Sequence, residues 1–142
     1  MFKMCRCHDR MVNYLCDNRN VVAEAIGLDD IWIRGKEFPV RLGGLERADI
    51  VFQDKYDSKN EIDATLYVVE LKSGEADHSI IGQLQKYVDE MSIRGKMNGH
   101  WKNVKGIAIA PPYKESALKL LEKTDYIVLK WNDIISVKLE KV

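Results

Sequence analysis

The sequence contains few cysteines, no excess of charge of either sign and no long apolar run. Its 142 residues include three cysteines, and 22 basic residues balance 22 acidic ones. An odd, small number of cysteines argues against a disulfide framework. No window approaches 18 uncharged apolar residues, so no membrane-spanning helix is expected. The missing basic excess argues against a protein that coats nucleic acid.

The beginning of the chain and its overall composition favour one globular domain inside the cell. The first six residues hold no apolar core of signal-peptide length, which predicts a cytoplasmic (intracellular) protein. Hydrophobic residues make up 46% and charged residues 31% of the chain. This balance suits a single domain over 1–142, since no internal repeat or linker interrupts it.

Three cysteines and a histidine near the start form the pattern C-x-C-H-x7-C, from Cys5, Cys7, His8 and Cys16. A zinc knuckle normally has C-x2-C spacing, so the match is poor. We therefore predict reduced structural cysteines here, and the sequence leaves open whether this group binds a metal.

Apolar periodicity predicts an α/β fold with the element order α-β-β-β-α-β-α-β. The predicted helices span 9–26 (with a break near 17–18), 77 or 79 to 95 or 99, and 114–123. The predicted strands are 46–53, 64–72, 104–110 and 126–129, preceded by a short apolar segment at 31–33 and an edge strand at 37–42. A turn is expected at 43–44 and a hairpin loop at 54–63, while 134–139 cannot be typed. Right-handed crossovers then predict a central mixed sheet with helices on both faces.

The segment 64–72 reads as a buried central strand that carries two full charges, Glu70 and Lys72. Side chains alternate along a strand, so both charges point to the face that Leu66 and Val68 share. Burying a charge costs several kcal/mol unless it is paired or bound to metal. Charges in such a position are therefore candidates for chemistry.

A second carboxylate is expected close to the first. Asp49 lies in the preceding strand, and if the two strands pair as a hairpin it approaches Glu70. Two adjacent carboxylates repel unless a cation lies between them, and hard oxygen ligands suit Mg²⁺ or Mn²⁺. Such an ion activates water and binds phosphate oxygens, while Lys72 orients the water or stabilises charge in the transition state.

Gln83 and Tyr87 are four residues apart and share one face of the following helix. The Gln83 amide can donate a hydrogen bond to a phosphate or to a water on the metal. The Tyr87 hydroxyl can reach the site, with simple packing of the ring as the alternative. Gln85 should face solvent.

These motifs resemble the PD-(D/E)XK nuclease superfamily in its RecB-like branch. The segments Ala48-Asp49-Ile50-Val51-Phe52, Val68-Val69-Glu70-Leu71-Lys72-Ser73 and Gln83-Leu84-Gln85-Lys86-Tyr87-Val88 look like the catalytic domain of NucS/EndoMS endonucleases. The resemblance implies a restriction-endonuclease-like fold and a DNA endonuclease. It implies Asp49 and Glu70 as metal ligands, Lys72 as the catalytic lysine, and Gln83 with Tyr87 as an auxiliary pair.

Two departures from that family pattern limit what the resemblance implies. The acid that the family carries on its first helix falls near His8 and Asp9, so Asp9 and Glu24 are both candidates. NucS-type enzymes also have a separate N-terminal domain for DNA binding and dimerisation, and no segment of these 142 residues is expected to supply it. Mismatch specificity is therefore not carried over, and DNA is expected to be reached through the domain's own surface, a homodimer or a partner chain.

Two alternatives to a general endonuclease remain open. A Holliday-junction resolvase shares the D…E-x-K pattern and the chain size, although it generally lacks the Gln-x-x-x-Tyr helix. A catalytically silent module that binds nucleic acid or protein fits the neutral charge. Two groups of basic residues could meet phosphates or be ordinary solvated faces. The first group is Arg34, Lys36, Arg41 and Arg47, and the second is Arg94, Lys96, His100, Lys102 and Lys105. Trp101, in the second group, is the best candidate for stacking on a base, with packing as the stronger prediction.

Overall fold

The computed structural model describes residues 3–41, 44–54 and 63–140. Its helices are α1 (Lys3–Asp17), α2 (Arg19–Ala25), α3 (Ser79–Asn98), α4 (Glu115–Leu121) and α5 (Trp131–Glu140). Its strands are β1 (Trp32–Pro39), β2 (Arg47–Gln53), β3 (Thr65–Leu71), β4 (Asn103–Ala110) and β5 (Ile127–Lys130). None of the helices in these ranges is long and apolar enough to cross a membrane.

The five strands form one mixed sheet in the order β1-β2-β3-β4-β5. The pairs β1/β2 and β2/β3 are antiparallel, and the pairs β3/β4 and β4/β5 are parallel. Helices α3 and α4 make the two crossovers that parallel pairing requires. The predicted mixed sheet is confirmed, with β3 at its centre.

The edge of the sheet differs from the prediction in one respect. The predicted segments 31–33 and 37–42 contribute residues 32–33 and 37–39 to a single strand, β1, which begins at Trp32 and ends at Pro39. A register shift between Ile33 and Gly35 interrupts its pairing with β2. The shift adds one extra residue to β1, and the pairing with β2 continues on both sides of it. The polar residues in the middle of β1 therefore do not end the strand. Pro39 is tolerated because β1 lies at the edge of the sheet, where a missing N–H need not break a pairing with a second strand.

The ends of the chain contain more helix than predicted. Helix α1 begins at Lys3, ahead of residue 9, and the predicted break occurs at Asn18, whose side-chain amide donates to the Tyr14 carbonyl (2.9 Å). The untyped segment 134–139 lies within α5. Its single buried side chain in the described part, Ile134, packs into the core, so tertiary contact rather than a periodic pattern supports this helix.

The sheet separates two apolar layers. On one face, Phe52, Val69 and Ile107 pack with Val12 and Leu15 of α1 and with residues of α2. On the other face, Val51, Leu66 and Val68 pack against Tyr87 and Met91 of α3. Helices on both faces were predicted, and this arrangement confirms them. The alternation along β3 therefore directs Glu70 towards α3.

Helix α3 ends where its glycine predicts, and the chain then folds back onto it. Gly99 follows Asn98 in the left-handed conformation (φ 63°). Trp101 is 3% exposed, and its indole Nε1 donates to the Met91 carbonyl (2.8 Å). The suggestion that Trp101 stacks on bases is therefore wrong, because its ring is part of the core. The predicted loop at 54–63 and turn at 43–44 lie largely outside the described residues.

Gly95 gives a direct test of the contact between α3 and Trp101. A Cβ at this position would overlap the Trp101 indole, whereas a Cβ at Gly82 in the same helix meets nothing within 4 Å. We expect Gly95→Ala to destabilise the protein by ~2 kcal/mol through overpacking, although alanine favours a helix. Gly82→Ala should stabilise it by ~0.5–1 kcal/mol. Urea unfolding measures both, and a stabilising Gly95→Ala would contradict the packing.

Candidate active site

Two carboxylates meet across the β2/β3 hairpin. The pair Ile50–Val69 is in register, so Asp49 and Glu70 are the next residues across the ladder. Asp49 accepts a hydrogen bond on Oδ2 from the backbone N–H of Leu71 (2.7 Å). This bond orients the Asp49 carboxylate along the end of β3. The hairpin and the approach of Asp49 to Glu70 agree with the sequence prediction.

Glu70 is the buried member of this pair. It is 3% exposed and is the one buried charged residue among those described. Burial, then the neighbouring charge of Asp49, raise the pKa of the Glu70 carboxyl to about 9, while Lys72 acts in the opposite direction. The Glu70 carboxyl is therefore protonated at neutral pH when no cation is bound.

His8 of α1 completes this end of the sheet. Its Nε2 lies 3.2 Å from Asp49 Oδ1 and 3.1 Å from the Leu71 carbonyl oxygen. The hydrogen bond with Asp49 raises the pKa of the imidazole, and burial opposes this effect. In the sequence, His8 stands out mainly as a member of the Cys/His group near the start of the chain. Its position four residues before Val12 and seven before Leu15, both buried, is the signal that puts it on the inward face of α1.

Lys72, Gln83 and Tyr87 form a polar chain beside the carboxylates. Lys72 Nζ lies 3.9 Å from Glu70 Oε2 and makes a long hydrogen bond to Gln83 Oε1 (3.5 Å). The Gln83 amide donates to the Tyr87 hydroxyl (2.9 Å), and burial raises the pKa of that hydroxyl. The structure thus brings all five predicted site residues together. Gln85 is exposed, as expected.

The two acidic candidates for the first-helix position do not contact the carboxylate pair through any described hydrogen bond or ion pair. Asp9 is exposed and lines a cavity that His8 and Asp49 share, while Glu24 is exposed on α2. The contact from the first helix to Asp49 is made by His8 instead of an acid. Arg47 donates to the carbonyl oxygens of Gly44 and Glu46.

The first basic group and Arg94 of the second are engaged in local contacts. Arg34 donates to Gln53 and Lys36 to Asn13, Arg41 pairs with Glu90, and Arg94 donates to the Pro39 carbonyl. Arg34 and Arg94 also lie over the Trp101 ring, each about 5.4 Å from its centroid. These contacts give the first group and Arg94 a structural role.

The cysteine and histidine group is not assembled as a zinc site in the described part of the chain. Cys7 is exposed and Cys16 is half-buried, both as free thiols, while His8 points to Asp49. The side chain of Cys5 lies outside the described residues. No cluster of three or more His, Cys, Asp or Glu side chains that could hold a metal ion occurs among those described.

The donor set near Glu70 nevertheless fits a hard divalent cation. It offers two carboxylates and the Leu71 carbonyl oxygen, which is the ligand chemistry that Mg²⁺ and Mn²⁺ accept. A cation there would replace the proton on Glu70, and Mg²⁺ keeps several waters of its own. Two side-chain ligands are therefore sufficient for such a site.

Replacing Glu70 should stabilise the metal-free protein. The pKa of this carboxyl is raised from 4.5 to about 9 on folding, so its ionisation in the unfolded chain removes stability as the pH rises across that interval. We expect Glu70→Gln to gain on the order of 1–3 kcal/mol at pH 8 and almost nothing at pH 4. Thermal unfolding in EDTA at both pH values measures this difference.

The matched control is Glu75→Gln, at an exposed position shortly after β3. Its thermal midpoint should follow that of the unmodified protein at both pH values. Equal effects of Glu70→Gln at pH 4 and pH 8 would contradict a buried carboxyl with a raised pKa.

The chain is similar in sequence to endonucleases of one family. A family profile described as the C-terminal domain of endonuclease NucS matches residues 46–136. Endonuclease NucS of Pyrococcus abyssi is 34% identical over 113 residues, which are 80% of this chain and 37% of that protein. The Pyrococcus furiosus protein of the same name is 31% identical over 113 residues, covering 80% of this chain and 35% of that protein.

Solved structures show the same fold. A repair endonuclease from Pyrococcus abyssi superimposes with a TM-score of 0.59 at 28% identity, over 84% of this chain and 43% of that one. A complex of EndoMS with dsDNA gives a TM-score of 0.62 at 23% identity, over 84% and 42%. The chain thus spans less than half the length of these relatives. The match over residues 46–136 shows that the chain belongs to the NucS C-terminal domain family.

Proposed function

We propose that this domain is a divalent-metal-dependent endonuclease that hydrolyses phosphodiester bonds in DNA. The observation that carries the proposal is the buried Glu70 carboxyl beside Asp49, with Lys72 at its edge. A fold without chemistry gains nothing from burying this pair, because it lowers stability at neutral pH. Relatives named endonuclease and repair endonuclease support DNA as the substrate.

Asp49, Glu70 and the Leu71 carbonyl would hold the Mg²⁺ or Mn²⁺ ion. When bound, the ion would supply an activated water and neutralise charge on the scissile phosphate. Lys72 is one-third exposed, so its ammonium can reach a phosphate oxygen from the protein surface while Glu70 lies behind it. Its part is to stabilise the negative charge that develops during cleavage.

Gln83 and Tyr87 are proposed to position Lys72. The carbonyl oxygen of the Gln83 amide faces the lysine, and its NH2 group donates to Tyr87. Since the Tyr87 ring is buried against β2 and β3, the chain Tyr87–Gln83–Lys72 connects the ammonium to the core. A fixed ammonium contributes more to charge stabilisation than a freely rotating one.

The proposal covers cleavage and not the recognition of a particular DNA structure, because the match covers 37% of one relative and 43% of another. These relatives are more than twice as long, so the way this domain finds DNA is proposed separately, through its own surface, a homodimer or a partner protein. An intracellular location is part of the same proposal, since a structural neighbour is named a repair endonuclease. The resolvase alternative remains a prediction from the sequence, since no described contact favours it.

A silent binding module has one observation in its favour. Among the described residues, no three acidic, histidine or cysteine side chains are arranged to hold a metal ion. A silent module would bind neither Mg²⁺ nor Mn²⁺, and Asp49→Ala would then change nothing in a calorimetric titration. The proposed nuclease binds at least one of the two ions and loses that binding in Asp49→Ala.

Cleavage assays test the proposed activity. The protein is incubated with single-stranded, duplex, mismatched and four-way-junction DNA in Mg²⁺, Mn²⁺ or EDTA. We expect metal-dependent cleavage of at least one substrate and a loss of about 100-fold or more in Lys72→Met, which removes the ammonium but keeps the chain length.

The control is Lys119→Met, at an exposed position of α4, where the lysine pairs with Glu115 of the same helix. It should cleave at the unmodified rate. No cleavage of any substrate, or equal rates in the two lysine variants, would overturn the proposal. A strict preference for four-way junctions would instead select the resolvase.

A further inference from the structure

The end of β5 places a second lysine level with Lys72. The ladder between β3 and β4 pairs Leu71 with Ile109, and the Lys72 N–H continues it by donating to the Ile109 carbonyl (2.9 Å). The ladder between β4 and β5 pairs Ala110 with Lys130. Lys72 and Lys130 therefore lie in one row across the sheet, with their backbones two strand spacings, or ~10 Å, apart.

Lys130 lies on the same face of the sheet as Lys72. Val128 packs among residues of α3 and α4, whereas Leu129 packs on the face that α1 and α2 cover. Side chains alternate along a strand, so Lys130 shares the direction of Val128. Lys72 is on that face too, because its Nζ approaches Gln83 of α3 (3.5 Å). Both lysines thus belong to the side of the sheet that carries the proposed active site.

A third lysine is held close to these two by the crossover from β4 to α4. Lys114 directly precedes α4, and its backbone N–H donates to the Ala76 carbonyl in the loop that follows β3 (2.9 Å). The preceding residue, Tyr113, is buried, and its hydroxyl donates to the Leu129 carbonyl of β5 (2.8 Å). The segment that carries Lys114 is therefore fixed to both neighbouring strand ends.

The positive charges of Lys114 and Lys130 are available to a ligand. Both residues are exposed, and neither ammonium lies within ion-pair distance of a carboxylate among the described residues. The nearby Asp77 carboxylate accepts hydrogen bonds from Ser79, and these lower its pKa more than the charge of Lys114 does. Lys114 is thus not required to neutralise Asp77.

Cations on the other side of the site, towards β1, are instead committed to contacts within the protein. Their partners are carboxylates, an amide and backbone carbonyls: Arg41 with Glu90, Lys86 with Glu46, Lys36 with Asn13, and Arg47 with Gly44 and Glu46. A DNA strand would have to break these contacts on the β1 side, whereas on the β4 and β5 side it meets charge that needs no rearrangement. This asymmetry favours one direction for the strand away from Lys72.

We propose that Lys114 and Lys130 bind backbone phosphates of the DNA strand whose scissile phosphate lies at Lys72, so that this strand crosses the ends of β3, β4 and β5 in that order. This inference rests on the proposed nuclease function and adds the surface by which the domain holds its substrate. A DNA strand carries one phosphate per nucleotide, so contacts ~10 Å apart fall within about three nucleotides of the scissile bond. Such contacts fix the position of the strand without reading its sequence.

DNA binding in EDTA, where no cleavage occurs, tests the proposal through its salt dependence. The probe is the DNA that is cleaved best, labelled for fluorescence anisotropy. Lys114→Met and Lys130→Met should each weaken binding by about three- to tenfold and reduce the slope of log Kd against log salt by ~0.7–0.9, the value for one lost phosphate contact. Lys105→Met, at an exposed position near the start of β4 and hence at the opposite end of the sheet, is the control and should keep both values.

Neutral methylphosphonate linkages locate the contacts on the DNA. Introduced one at a time, they should weaken binding of the unmodified protein within about three nucleotides on one side of the scissile bond. At least one of these positions should have no effect on binding of Lys130→Met, which has already lost that contact. Metal-dependent cleavage with both lysine variants binding like Lys105→Met, or with an interference pattern that neither variant changes, overturns the inference and leaves the proposed nuclease intact. Absence of both DNA binding and cleavage overturns the inference together with the proposed function.

Discussion

The contact between the carboxyl groups of Asp49 and Glu70 is the constraint on which the site depends. The pair sits where an antiparallel hairpin meets the central strand, and burial raises the pKa of Glu70 to about 9. In water these groups would separate, but the β2/β3 ladder and the bond from Leu71 N–H to Asp49 hold them together. The fold thus maintains a concentration of negative charge that either a proton or a cation must compensate.

Three other elements, β4, α3 and α1, contribute contacts around this carboxyl pair. The parallel partner β4 covers the far side of β3 and accepts the Lys72 N–H at the Ile109 carbonyl, which fixes the backbone just beyond Glu70. Helix α3 contributes the Gln83 and Tyr87 side chains, and its own position is secured by the buried Trp101. Helix α1 contributes His8 from the opposite layer of the core. Three elements distant in sequence therefore meet at one end of a single strand.

Particular residues show why some of this was predictable from sequence and some was not. The β3 run is apolar except for Glu70, and local pattern alone identifies both the strand and the anomaly. The pairing with Asp49 follows from hairpin geometry, and Gln83 and Tyr87 from helical spacing. Helical spacing places His8 on the inward face of α1, but its contact with Leu71, 63 residues along the chain, has no local signal. Trp101 carries no local signal either, since its ring is placed by the return of the chain onto Met91 of α3. Helix α5 shows no clear apolar periodicity, since few of its described side chains are buried.

Carboxyl-resolved NMR of the protein labelled with ¹³C-glutamate tests the central claim most directly. In EDTA, the account predicts that one glutamate, identified as Glu70 by its loss in Glu70→Gln, titrates near pH 9 instead of near 4.5. Saturating Mg²⁺ should lower that pKa by more than about two units, because the cation replaces the proton on Glu70. An apo protein in which Glu70 titrates near 4.5, or a raised pKa that Mg²⁺ leaves unchanged, would contradict the account.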